Sequence, residues 1–300
     1  KTYRDQGFLA WDPEGKLSPP GESNLLALTT TLESILVGVG QRGCGFESQL
    51  EAAYRFLVDP SPYAKIEVAT GRAKPAMLRL LDRVQHGSSD PLVFAGLVMA
   101  FRYCGLLDAS VAAHEQARRL DAKIPTSVVH TFRMMGRYED ALAEIQPERD
   151  IADEALLHEA MGNHEKAAAV FEERKRQAVA ASATITSEFA TFLDIWGATL
   201  HRDRSVLPLF DRFEAFGDPE GQYFLGRALV RLEEHHRALE FLSRAEQNGF
   251  FCFPALERDP WLDPLRCDPR FVEILRRAES RTRDAARAFE DHAASRVIRV

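Results

Sequence analysis

The chain has 300 residues, enough for about two domains and for a buried core that needs no disulfide or metal to hold it. It is 45% hydrophobic and 28% charged, which excludes a fibrous or wholly disordered class. The formal net charge of -7 gives no support to a bulk nucleic-acid-binding surface. The longest unbroken apolar run, Pro91 to Phe101, is 11 residues, well short of the roughly 20 that a membrane-spanning helix needs.

Residues 1–74 are rich in glycine and proline and read as a short irregular or mixed N-terminal segment. An apolar stretch from Ser34 to Val37 leads into Gly38-Val39-Gly40-Gln41-Arg42-Gly43, and a helix is expected from Phe46 to Val58, ended by Asp59-Pro60. The glycine spacing G-x-G-x-x-G could cradle a pyrophosphate at the start of that helix. No strand-helix-strand alternation follows it, so a structural turn is the preferred reading and no cofactor is expected. A nucleotide-binding enzyme fragment using the Gly38–Gly43 loop is kept as the alternative function. Cys44, Cys104, Cys252 and Cys267 show no C-x-x-C spacing, which fits reduced thiols in a cytoplasmic protein. The first residues, KTYRDQGFLAWDPEG, open on Lys1 and lack the apolar core of a secretory signal, as expected of a partial or processed chain.

From about residue 75 the pattern turns helical, with Leu78, Leu81 and Val84 on one face, and the same rhythm recurs to about Ala294. The spacing predicts an all-α second region built from a repeat. Gly105, Gly136 and Gly162 fall into register, each followed two positions later by a bulky residue (Leu107, Tyr138, His164) and five positions later by a small one (Ser110, Ala141, Ala167). The bulky residue is expected to wedge between helices and the small one to let two backbones approach. A further copy places Ala238 and Ala245 in equivalent positions and ends at Asn248-Gly249, a helix C-cap. Residues 183–216 would hold one degenerate unit, and Gln146-Pro147 should clip the second helix of the middle repeat. In the tail, Asp259-Pro260, Asp263-Pro264 and Asp268-Pro269 read as helix starts. Phe250, Phe251, Phe253, Trp261, Leu262, Leu265 and Phe271 should seal the open end of the stack.

Residues 75–250 resemble tetratricopeptide (TPR) repeats, and the tail GFFCFPALERDPWLDPLRCDPRFVEILRRAE is similar to the end of TPR regions that follow a serine/threonine kinase-type signalling domain in bacterial proteins. The resemblance implies an α-α superhelical solenoid, capped by residues 251–300 and serving as a protein-protein interaction scaffold, with any catalytic part upstream. Residues 30–65 also resemble a segment of secreted bacterial proteins with a von Willebrand factor A-like fold. In the TPR family the first helix of each hairpin lines the concave face. Carried through the glycine register, that places Met99, Arg102, Tyr103, His130, Arg133, Met134, Arg227 and Arg231 in a partner-binding groove. Arg102 and Arg133 would stand in one column facing an acidic extended peptide, interrupted at Glu159. The expected partner is a protein or peptide, with self-association a further possibility and neither nucleic acid nor membrane involved.

Several fragments imitate catalytic or metal motifs. His201-Arg202-Asp203 spells a kinase triplet without its accompanying Asn, so a turn between two helices is expected. His158-Glu159 with His164 has the wrong spacing for a zinc helix, Glu234-His235-His236 lacks a third ligand, and no metal is expected. From Arg266 onward nine arginines face six acids, a pattern that predicts a solvated, salt-bridged helix face.

Overall fold

The computed structural model describes Ser23, Asn24, Ala27 and residues 73–85, 89–147, 149–181 and 187–291. The chain divides between Ile66 and Glu67, and almost all described residues belong to the second unit, Glu67–Val300. The Gly38–Gly43 loop, Cys44 and the helix expected at Phe46 to Val58 lie outside the described residues.

Helices account for the architecture, with no strand among the described residues. In chain order they are α1 (Ala73–Gln85), α2 (Pro91–Tyr103), α3 (Leu107–Leu120), α4 (Val128–Met134), α5 (Tyr138–Ala143), α6 (Asp153–Ala160), α7 (His164–Ala181) and α8 (Ser187–His201). A 3-10 segment (Arg204–Phe213) precedes α9 (Pro219–Arg231), α10 (His235–Asn248) and α11 (Phe253–Arg258). A second 3-10 segment (Pro260–Leu265) leads into α12 (Pro269–Asp291). The middle hairpin is clipped as its sequence requires, since α5 has only 6 residues.

Consecutive helices pair as hairpins: α2 with α3, α4 with α5, α6 with α7, α8 with the first 3-10 segment, and α9 with α10. One turn geometry joins them. Gly105, Gly136 and Gly162 have φ of +79°, +75° and +79°, and Arg202 and Glu233 take the same left-handed conformation at +54° and +61°. After each, the next N–H reaches back five residues: Leu106 to Phe101, Arg137 to Phe132, Asn163 to His158, Asp203 to Ala198 and Glu234 to Leu229. This is the Schellman closure of a helix C-terminus. Four residues further on, the amides of Ser110, Ala141, Ala167 and Ala238 bond the carbonyls of Leu106, Arg137, Asn163 and Glu234, starting the second helix. The repeat register therefore has a backbone cause, and two of its five turns carry no glycine.

The small residues do what their size allows. Ser110, Ala141, Ala167 and Ala238 are completely buried. Ser110 satisfies its hydroxyl on the Val98 carbonyl at 2.6 Å, and a β-carbon added at Gly226 would lie 3.4 Å from the Ala238 carbonyl, so α9 and α10 touch backbone to backbone there. Of the bulky residues, Leu107 is buried but His164 is exposed. His164 does not wedge between helices, because its ring turns out to meet Glu159.

Asp-Pro pairs start four of the helical segments. Asp90, Asp218, Asp259 and Asp268 accept hydrogen bonds from the amides of Leu92, Gly221, Trp261 and Arg270. Asp263-Pro264 starts none, since it lies inside the second 3-10 segment.

First helices pack in succession, α2 on α4, α4 on α6 and α8 on α9. The tail then returns to the beginning. The Phe251 amide bonds the Tyr103 carbonyl at 3.0 Å, the rings of Phe250 and Tyr103 meet edge to face at 5.5 Å, and Phe289 of α12 meets Phe101 of α2 at 5.2 Å. Phe250, Phe251, Leu262, Leu265 and Phe271 are buried. They cover more than an end, because the second 3-10 segment packs on α9 and α11 packs on both α4 and α12.

Candidate functional site

The inward faces of α2, α4, α6 and α9 carry the charged residues that the glycine register assigned to a groove. The chain's own acids occupy that face. Arg102, 1% exposed, forms a forked pair with Glu220 (Nε–Oε1 2.8 Å, Nη2–Oε2 2.7 Å) and donates to the Ser127 carbonyl at 3.0 Å. Arg227 is paired with Asp259, which also accepts from the Tyr223 hydroxyl at 2.8 Å and from the Trp261 amide at 3.0 Å. Arg231 is paired with Glu159, which also takes His164 Nδ1 at 2.6 Å. Arg133 lies over the Phe224 ring at 4.5 Å, with Asp153 Oδ1 3.6 Å away.

Glu159 therefore does not interrupt the arginine column; it is one of its counter-charges. Arg102, Arg133 and Arg227 are buried together with Met134, so the column expected to face a peptide is closed at these positions. The physical reason is long-range: Glu220 and Asp259 arrive from segments more than 30 residues away from the arginines they neutralise. His130, between Asp153 (3.8 Å) and Glu220 (3.9 Å), is pushed below its ordinary pKa by burial. Tyr103 is half-buried, its hydroxyl donating to Asp218 at 3.2 Å. Burial, then Glu220 beside it, raises the Asp218 carboxyl to about 6. Of the eight groove residues, Met99 alone is an exposed large hydrophobic, 42% accessible, and Leu92 on the same helix is 47% accessible.

Sequence reasoning missed Glu220 and Asp153, two of the acids that complete this layer, and the aromatic rings of Trp196 and Phe224; it read Asp259 only as a helix start and Trp261 only as part of the end seal. Nothing local marks the segments of Glu220 and Asp259 as the partners of arginines in another hairpin.

The kinase-like triplet resolves as a turn, whereas His158 and Glu159 are buried in α6. His201 ends α8, Arg202 holds the left-handed turn and Asp203 caps the following segment through the Ser205 amide at 2.9 Å. No group of three or more His, Cys, Asp or Glu is placed to hold a metal among the described residues. Cys104, Cys252 and Cys267 are free thiols. Arg276, Arg283 and Arg287 of α12 pair with Glu273, Glu279 and Asp284, the salt-bridged face that the charge pattern predicts. No helix of the described residues is long and apolar enough to cross a membrane. A surface groove of about 860 Å³ runs between α10 and α12, but its Arg237, Arg270 and Arg277 are already held by Asp211, Asp268 and Glu246.

Compared with known proteins, the chain matches no protein-family model, no curated protein and no solved structure.

Proposed function

We propose that the helical unit is a protein-binding module of the tetratricopeptide type, the regulatory part of a larger bacterial signalling protein. The observation that carries this reading is the single left-handed turn recurring at Gly105, Gly136, Gly162, Arg202 and Glu233. A stack of hairpins joined in this way cannot bury its apolar faces one at a time, and such stacks present extended surfaces suited to partner segments. The partner is a protein or peptide that docks beside Leu92 and Met99 on α2, where large apolar side chains remain in water. The arginine layer behind them holds the hairpins in place.

A photo-crosslinking residue placed at Met99 tests this in the native host's lysate, with the same residue at Arg119 on α3 as the exposed control. Adducts specific to Met99, and lost when Leu92 is changed to Glu, are expected. Identical adduct patterns from the two sites would overturn the placement. The rival reading, a nucleotide-binding enzyme, rests on the Gly38–Gly43 loop. Calorimetric titration of the full chain with NAD and with ATP separates the two, and the binding-module reading predicts no heat of binding.

A further inference from the structure

With its histidine neutral, the inward layer is balanced in charge. Arg102, Arg227 and Arg231 pair with Glu220, Asp259 and Glu159, and Arg133 has Asp153 Oδ1 at 3.6 Å. His130 sits inside this layer as a fifth basic side chain, 15% exposed. Four charged groups face it, one from each helix of the layer: Arg102 from α2, Arg133 from its own α4, Asp153 from α6 and Glu220 from α9. The Phe224 ring of α9 lies 5.5 Å from its ring.

The geometry dictates which ring nitrogen carries the proton. Arg133 Nη2 lies 3.4 Å from His130 Nδ1. A guanidinium only donates, so Nδ1 must accept, and the ring N–H is then on Nε2, the side of Asp153 Oδ1 at 3.8 Å. This is the one hydrogen bond that Arg133 makes among the described residues, since its Nη1 is buried without an acceptor. A second proton on the ring would take the Nδ1 lone pair, remove that acceptor and set five cations against four carboxylates in a buried layer. Neither neighbouring acid is free to absorb it: Glu220 is forked on Arg102, and Asp153 is shared with Arg133. Burial above all holds the ring below the ordinary histidine pKa; Asp153 and Glu220 pull it up, and Arg133 and Arg102 press it down.

We propose that His130 is an acid-sensitive latch of the inward layer: as the neutral Nε2–H tautomer it holds Arg133 through Nδ1, and on taking a second proton it lets α4 loosen from α6 and α9. In the unfolded chain a histidine takes its proton near pH 6.5, before the folded ring does. The stability that the latch contributes is therefore present above that pH and is lost as pH falls from there through the folded value. The latch stands independently of the protein-binding reading above.

The experiment has two readouts on the full chain. Long-range proton–nitrogen correlation spectra of the histidine rings, with His130 assigned through its contact with Phe224, report its tautomer and follow its titration. The Nε2–H tautomer and a midpoint below about 6.5 are expected. An Nδ1–H tautomer, or a midpoint at or above that value, overturns the proposal. Urea unfolding of wild type and His130→Gln at pH 7.5 and pH 5.5 gives the second readout, because glutamine keeps an oxygen to accept from Arg133 and does not titrate. The ratio of the wild-type to the variant folding constant should fall several-fold, up to about 10-fold, between the two pH values. A ratio that stays constant or rises overturns the proposal. If the variant does not fold, the wild-type tautomer and titration decide it alone.

Discussion

Asp218 caps α9 through the Gly221 amide, takes the Tyr103 hydroxyl and sits beside Glu220. Its carboxyl is raised to about 6, against roughly 3.9 in an unfolded chain. Between those values the folded state keeps a proton that the unfolded state has lost, so stability from this residue falls as pH rises from about 4 through 6. Asp218→Asn keeps an oxygen for the cap and removes the charge. The variant should melt higher than wild type at pH 7.5, and the difference should shrink as pH falls through 6 and close only below about 4. Parallel melting curves across that range would show that Asp218 carries no such load. Only half of this arrangement is legible in sequence: Asp218-Pro219 spells a cap, but Tyr103 and Glu220 become its neighbours only when the hairpins close.

Among the elements, the turns offer the sharpest comparison. Alanine at Gly136 or Gly162 would meet no neighbour within 4 Å, so it should cost only the left-handed strain, about 1 kcal/mol. At Gly105 the added β-carbon would also lie 2.9 Å from Thr282 Oγ1 and 3.2 Å from Pro254 Cδ. Gly105→Ala should therefore destabilise more than either, and Glu233→Gly should stabilise by about 0.5 kcal/mol, since the freer unfolded chain returns part of the gain. Denaturant titrations of the four variants give the order; equal costs at the three glycines would contradict the packing of the tail on the first turn. Three turns were readable because glycine is the residue a left-handed position prefers. The turn at His201-Arg202-Asp203 was readable too, but the left-handed conformation of Arg202 and Glu233 was not, because neither side chain favours it. Likewise the small residues at Ser110, Ala141, Ala167 and Ala238 follow from helix spacing, whereas the exposure of His164 follows from Glu159 alone.

At the scale of the molecule, the repeat was legible and its closure was not. A sequence of hairpins reads as an open stack with a lined groove. What closes it are contacts such as Arg102 with Glu220, 118 residues apart, and Phe289 with Phe101. Charge pattern cannot name such partners, since many acids and arginines on the chain could pair. The arginine layer is internal structure that ties the first hairpin to the last.

A double-mutant cycle on Arg102 and Glu220, read by denaturant unfolding of the full chain, measures how strongly the two are coupled. Arg102→Met and Glu220→Gln each remove one member of a buried pair, and each should cost about 3 to 5 kcal/mol. The double variant should cost clearly less than the sum. Single costs below about 1 kcal/mol with additive behaviour, the result for an exposed pair on an open groove, would contradict that internal tie.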